Sequence, residues 1–163
     1  MLSSIDAFPA AWNGDLDIVK KFIKKYPTFK DKPGLWGTTL LYSSSRNNKM
    51  NVVQYLIETA KCSINAQNEQ DPEKGLLTTT STSSKHINVN PTAASTALHG
   101  ACYNGHLNVV KYLVEHGADY SIKNQAAETP IMNGERHKHI QEFFQNHLVL
   151  GYSRSSKSLP KTT

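Results

Sequence analysis

Residues 95–119 have the sequence STALHGACYNGHLNVVKYLVEHGAD, which contains two short helical patterns separated by a polar turn. In the second pattern the apolar residues recur at spacings of three and four, at Leu107, Val110, Leu113 and Val114. This spacing places them on one face of a helix. Thr96 precedes the first pattern as a hydroxyl cap, and Gly117 follows the second pattern at the position of a left-handed terminating residue. The stretch therefore predicts a helix–turn–helix unit with one buried face.

Similar units recur along the chain at a nearly fixed period. Residues Thr129–Met132 occupy the position of Thr96–His99 one period of about 33 residues later. Upstream, residues Thr39–Tyr42 match the same position, and Asn13–Val19 match the turn and second helix of an earlier unit. The sequence predicts four repeats and one insertion, at about 3–34, 35–68, 93–125 and 126–151, with the insertion at 69–92.

Residues 95–119 resemble the ankyrin repeat consensus nearly position for position. The resemblance implies an all-α solenoid of stacked helix-turn-helix units joined by short β-hairpin-like connections. One helix pair cannot bury its apolar face alone, so neighbouring repeats must share a continuous core. We expect an ankyrin-repeat domain over 1–151, followed by a flexible tail or linker over 152–163 that is rich in Ser, Lys and Thr.

The insertion at 69–92 contains a Ser/Thr-rich tract and has two interpretations. It is either a tolerated, solvated loop, or a functional segment that closes over a ligand or accepts phosphate. The sequence favours the first interpretation and leaves the second open.

Composition bounds the class of protein. The chain of 163 residues has a net charge of +5, two cysteines and no apolar run near the roughly 20 residues that cross a bilayer. We expect no membrane association, and isolated thiols indicate a reducing compartment, either the cytoplasm or the nucleus. Six lysines between residues 20 and 32 are interpreted as a solvated face rather than a nucleic-acid patch.

The family resemblance also implies where a partner binds, because ankyrin repeats contact partners through hairpin tips and the exposed face of each first helix. The position just after the two small, buried residues of each first helix supplies one row: Trp12, Arg46, Tyr103 and Arg136. The next position supplies a polar row: Asn13, Asn47, Asn104 and His137. Trp, Tyr and Arg are frequent interface hot spots. The alternative is that Trp12 packs on the N-terminal residues and that the arginines only solubilise.

Trp36 lies at the predicted tip of the second hairpin. It is either an anchor for the partner or a cover for the repeat junction.

The partner is expected to be a protein or peptide of unknown identity. An acidic peptide, a phosphopeptide or a single-stranded nucleic acid would also suit arginines interleaved with aromatics, although nucleic acid would need a denser basic stripe. The chain also resembles ankyrin segments of multidomain proteins, which leaves a second reading: an N-terminal targeting arm of a larger ubiquitin- or ADP-ribose-related enzyme.

Chemistry-bearing motifs are missing from the sequence. His99 is expected to hydrogen-bond backbone groups of a neighbouring repeat, and Thr96, Gly105 and Gly117 are expected to be structural. No phosphate loop, nucleophile elbow or paired carboxylates occur, and the histidines near His137 diverge on a helix, so we expect no catalytic residues, metal, cofactor or small-molecule substrate.

Overall fold

The computed structural model describes the backbone of residues 4–34, 37–69 and 93–155, and the side chains of residues 7–34, 37–69 and 93–147. The described helices are α1 (Ser4–Asn13), α2 (Leu16–Lys25), α3 (Leu40–Arg46), α4 (Met50–Gln54), α5 (Ala97–Tyr103), α6 (Leu107–Glu115), α7 (Pro130–Asn133) and α8 (Lys138–Ser155). A 3-10 turn, Pro27–Phe29, follows α2. These helices form four successive pairs, and no strand is assigned in the described ranges, which confirms the predicted all-α class.

Threonine hydroxyl groups cap the N-terminus of the first helix in three repeats. Thr39 Oγ1 accepts a hydrogen bond from Tyr42 N at 3.1 Å, and Thr129 Oγ1 accepts one from Met132 N at 3.4 Å. Thr96 caps α5 together with the ring of His99. Each cap satisfies a backbone N–H that has no partner within its helix, so the helices begin where the Thr residues stand.

The core is continuous from the first repeat to the last. Helices α1, α3, α5 and α7 pack side by side, and each second helix packs on its own first helix. The large fully buried side chains include Phe22, Leu113 and Phe144 of the second helices, and Leu56 of the π-helix that follows α4. Because every repeat buries its apolar face against a neighbour, the stack gains its stability from the interfaces between repeats.

The connections between repeats are linked by backbone hydrogen bonds. Asn68 N donates to Ser95 O at 2.9 Å, and Gln125 N donates to Ala93 O at 2.9 Å. The buried Asn124 side chain accepts from the amides of Ala126 and Glu128, both at 3.0 Å. These bonds hold successive connections in register beside the first helices.

The second repeat contains a π-helix, Tyr55–Thr59, which continues α4. Cys62 N donates to Leu56 O, whereas in the third repeat Ala118 N donates to Leu113 O, over one residue fewer. Cys62 and Ala118 are both buried at the same place in their repeats. The wider turn therefore absorbs one extra residue, as π-helical bulges do in other helices.

The final helix, α8, continues to Ser155, past residue 151, where the sequence places the end of the domain. Asn146 and His147 are exposed on it, at positions that Leu113 and Val114 fill in the third repeat. The predicted insertion, residues 156–163 and Trp36 lie outside the described residues. The division into domain and tail stays a prediction.

Candidate functional site

Four side chains from four repeats lie in one line, which we call the stacked row: Trp12, Arg46, Tyr103 and Arg136. The Arg46 guanidinium carbon Cζ lies 5.9 Å from the Trp12 ring centroid and 5.7 Å from the Tyr103 ring centroid. Arg136 Cζ lies 4.1 Å from the Tyr103 centroid. Trp12, Arg46 and Tyr103 stand at or next to the C-terminal end of a first helix, and Arg136 lies three residues beyond the end of α7. The structure therefore brings the predicted row together as alternating aromatic rings and cations, within the distance at which they attract.

Arg46 is held at both its side chain and its backbone. Its Nη1 donates to the hydroxyl of the buried Tyr42 at 3.1 Å, and its carbonyl oxygen accepts from Asn104 Nδ2 and His106 Nε2, both at 3.0 Å. Burial raises the pKa of Tyr42, although Arg46 opposes this, so the phenol stays neutral and accepts the bond. Tyr42 is not among the sequence-predicted site residues, and the signal that could have found it is its i, i+4 spacing to Arg46.

The polar positions next to the stacked row direct their donors to backbone carbonyls. Asn47 Nδ2 donates to a carbonyl one turn earlier in its own helix at 2.8 Å. Asn104 Nδ2 and His137 Nε2 each donate, at 3.0 Å, to the carbonyl of the row residue in the preceding repeat. Asn13 is exposed. These bonds hold adjacent repeats together, and a role of the four residues in partner contact stays a prediction.

Two further histidines were missed by sequence reasoning. His106 Nε2 bonds to Arg46 O, and His139 Nε2 bonds to Gly105 O at 2.8 Å. Burial lowers the pKa of His106, which keeps its ring neutral. The available signal is that the two residues stand one repeat period apart, His106 just before α6 and His139 at the second position of α8.

Thr96 and His99 form a buried network in the third repeat. His99 Nδ1 accepts from Thr96 N at 3.1 Å, so its Nε2–H donates to Glu128 O of the next connection at 3.0 Å. Burial lowers the pKa of His99 more than the Glu128 carbonyl raises it. The ring therefore joins two repeats in its neutral form.

Gly105 and Gly117 adopt left-handed backbone conformations, with φ of 72° and 90°. A Cβ on Gly105 would lie 2.7 Å from Nδ1 of His137. Only glycine fits there without displacing the inter-repeat bond of that histidine.

The lysine cluster lies on the outer face of α2 and the turn after it. Lys21 and Lys24 are exposed, and Lys25 Nζ lies 5.0 Å from the Tyr26 ring centroid. Lys32 Nζ lies 4.8 Å from the ring of Phe29, which is exposed. Aromatic rings are thus interleaved with these lysines, on a different element from the stacked row.

A shallow cavity of about 330 Å³ lies beside the connections, lined by Gln67, Ala94, Lys123, Asn124 and Gln125. Small-molecule pockets are enclosed and mostly apolar, and this cavity is open and polar. Among the side chains described, no three His, Cys, Asp or Glu residues are grouped to hold a metal ion. None of the helices in the described part of the chain has the length and apolarity to span a membrane.

Comparison with known families agrees with the geometry. A family model described as ankyrin repeats (3 copies) matches residues 8–124 and 72–142, which together cover most of the chain. The chain belongs to the ankyrin repeat family. Repeats of this family generally mediate protein–protein interaction and are typically non-catalytic.

Two curated proteins are similar to parts of the chain. Alpha-latrocrustotoxin-Lt1a of Latrodectus tredecimguttatus is 28% identical over 147 residues, which cover 80% of this chain and 10% of that protein. Ankyrin repeat domain-containing protein 49 of Bos taurus is 47% identical over 51 residues, covering 29% of this chain and 21% of that protein. The chain therefore spans only a small part of each of these relatives.

Proposed function

We propose that the chain is a non-catalytic scaffold that binds a partner protein or peptide through the face that carries the stacked row. The observation that supports this most is the continuity of the row, since one residue from each of the four repeats joins it. Trp, Tyr and Arg provide large contact areas with polar edges, and they dominate the binding energy of many interfaces.

The row is also preorganised. The Arg46 side chain is held by Tyr42 and lies beside the two neighbouring rings, and its backbone carbonyl accepts from Asn104 and His106. A side chain that is already held loses little rotamer entropy when a partner binds, and each free rotamer-rich side chain otherwise costs about 0.5–1.5 kcal/mol. The face is therefore suited to specific binding.

The test compares the partners captured by the wild type and by a triple variant, Trp12→Ala, Arg46→Ala and Tyr103→Ala, using proximity labelling and pull-down. A matched control replaces exposed residues of the second helices, Lys21→Ala and Lys111→Ala. We expect the row variant to lose partners that the control keeps, with both variants folded by circular dichroism. A folded row variant that keeps every partner would refute the assignment.

A second candidate is a targeting arm of a larger enzyme, of the ubiquitin- or ADP-ribose-related kind. The small share of the relatives that the chain spans supports the part of this candidate that concerns a larger protein. Transferase and ligase assays on the full-length gene product, beside residues 1–163 alone, separate the two candidates. Activity that requires sequence beyond residue 163 supports the targeting role, and activity of residues 1–163 contradicts the non-catalytic proposal.

A phosphopeptide or a nucleic acid is the third candidate ligand of the same face. Such contacts weaken steeply with ionic strength, so binding that is unchanged in about 0.5 M salt argues against both.

We also propose a cytoplasmic or nuclear location. Cys62 and Cys102 are free and buried, and burial raises the pKa of Cys62 to about 12 and that of Cys102 further still. Unpaired thiols of this kind fit a reducing compartment. Imaging of the full-length protein with a fluorescent tag tests the location.

A further inference from the structure

We infer that the stacked row binds an extended acidic segment, in which two carboxylate side chains two residues apart pair with Arg46 and Arg136. The inference rests on the proposed partner-binding role of this face and specifies the chemistry of the partner.

Both guanidinium groups lie beside aromatic rings and keep N–H donors for a partner. Arg46 Cζ lies 5.9 Å and 5.7 Å from the ring centroids of Trp12 and Tyr103, and Arg136 Cζ lies 4.1 Å from that of Tyr103. Arginine carries five N–H donors in one plane, at the edge of the guanidinium group. Arg46 directs one donor to Tyr42 OH. Two parallel N–H bonds to a carboxylate are the interaction that such an edge makes best.

The row has no carboxylate of its own among the described side chains. Neither Arg46 nor Arg136 forms an ion pair within 4.0 Å in that part of the chain, where the ion pairs involve lysines. Glu128 lies in the adjacent connection, but its Oε2 accepts from Asn133 Nδ2 at 2.7 Å. Two guanidinium charges thus stand on one face without a carboxylate partner among the described residues, and this charge is complementary to an acidic segment.

The distance between the two guanidinium groups limits the spacing of the two acidic residues. Their Cζ atoms lie 5.7 Å and 4.1 Å from the same Tyr103 centroid, so they are separated by no more than the sum of these distances, about 9.8 Å. In an extended chain each residue advances about 3.3 Å and successive side chains point to opposite faces, so side chains two residues apart share a face and are separated by roughly 7 Å, which is within this limit. The exposed ring of Tyr103 lies between the arginines, where it contacts the intervening part of the segment.

The test begins with selection from a random twelve-residue display library against the wild-type chain, residues 1–163. The most enriched sequence is then synthesised with a fluorescent label, and its affinity is measured by fluorescence anisotropy. A second peptide replaces each Glu by Gln and each Asp by Asn, which removes charge and keeps shape. This design does not depend on knowing the natural partner.

The variants are Arg46→Gln and Arg136→Gln, with Lys111→Ala as the control that removes a positive charge from an exposed second-helix position. A bond to a charged group contributes roughly 1.5–3 kcal/mol, so each arginine variant is expected to weaken the acidic peptide by at least about ten-fold. The wild type is expected to bind the neutral peptide at least about ten-fold more weakly than the acidic peptide. Lys111→Ala is expected to change the affinity for the acidic peptide by less than about two-fold. Thermal melting of every variant verifies folding, and Arg136→Gln, which lies outside the helices, provides a readout if Arg46→Gln unfolds.

The outcomes separate this inference from the function on which it rests. Enriched peptides with two acidic residues two positions apart, weakened by both arginine variants, support it. Enriched peptides without such acidic pairs, which lose affinity in Tyr103→Ala, overturn the acidic partner and leave the binding face in place. Enriched peptides that are indifferent to Arg46→Gln, Arg136→Gln and Tyr103→Ala overturn both proposals, as does a selection that enriches no peptide at all.

Discussion

Replacing Ala127 by glycine should stabilise the protein. Ala127 has φ of 60°, and Gly37 takes the equivalent position of an earlier connection with φ of 65°. The left-handed conformation destabilises a residue with a Cβ by about 1–2 kcal/mol, and the substitution removes this strain. Glycine also raises the entropy of the unfolded chain, which reduces the gain by about 0.4–1 kcal/mol. The methyl group of Ala127 is exposed, so no burial is lost. The free energy of unfolding should therefore rise by about 0.5–1 kcal/mol.

Ala94 provides a matched comparison, because it has φ of 61° at the same position of the preceding connection. Its side chain is only 6% exposed, unlike that of Ala127. Removing a buried methyl group costs about 0.8 kcal/mol, which offsets the relief of the backbone. Ala94→Gly should therefore leave the stability nearly unchanged.

Urea unfolding followed by circular dichroism measures both effects, with thermal unfolding as a second readout. A change of 1 kcal/mol shifts Tm by about 2–4 °C for a chain of roughly this size, so Ala127→Gly should raise Tm by about 1–4 °C. A lower urea midpoint for Ala127→Gly, or an equal gain in Ala94→Gly, would refute the reasoning.

Three further predictions concern buried or bridging groups. Ser45 Oγ is buried without a partner among the described residues, so Ser45→Ala should raise the free energy of unfolding by about 1 kcal/mol in urea titrations; a loss of stability contradicts this. Lys30 Nζ donates to the carbonyls of Ala60 and Lys61 at the end of the π-helix. Lys30→Met should therefore lower the free energy of unfolding, measured in urea, by about 1 kcal/mol. An unchanged urea midpoint would show that these bonds contribute nothing to stability. Burial lowers the pKa of His99, so at acidic pH the unfolded chain binds more protons than the folded chain. The contribution of His99 to stability should therefore be complete above the unfolded pKa of about 6.5 and should decrease as the pH falls below it. His99→Gln should reduce this pH dependence between pH 7.5 and 5, and a slope equal to that of the wild type would exclude His99 as its source.

Much of the candidate site follows from the repeat period. Residues at one step of each repeat lie in one line when the repeats stack, so the sequence alone aligns Trp12, Arg46, Tyr103 and Arg136. The period does not reveal which rotamers bring rings and guanidinium groups into contact. It also does not reveal that Tyr42 holds Arg46, since this hydrogen bond depends on where the buried Tyr42 side chain places its hydroxyl group.

The polar positions show where sequence reasoning reaches its limit. Asn104 and His137 were expected to face a partner, and the structure directs a donor of each to a carbonyl of the preceding repeat. The last carbonyls of a helix have no partner within it, so a neighbouring repeat that brings a donor within reach satisfies them. Only the packing distance between repeats makes this bond possible.

The amino-acid sequence by itself determined the helix pairs, their apolar faces and the number of repeats, because helical periodicity and capping are local properties that recur with the period. The tertiary structure alone decided how the repeats join. It placed Cys62 in the core position of Ala118, although the second repeat has one more residue before it, and a π-helix took up the difference. A shared core demands that equivalent side chains meet at equivalent places, and this requirement outweighs the local preference for a regular α-helix.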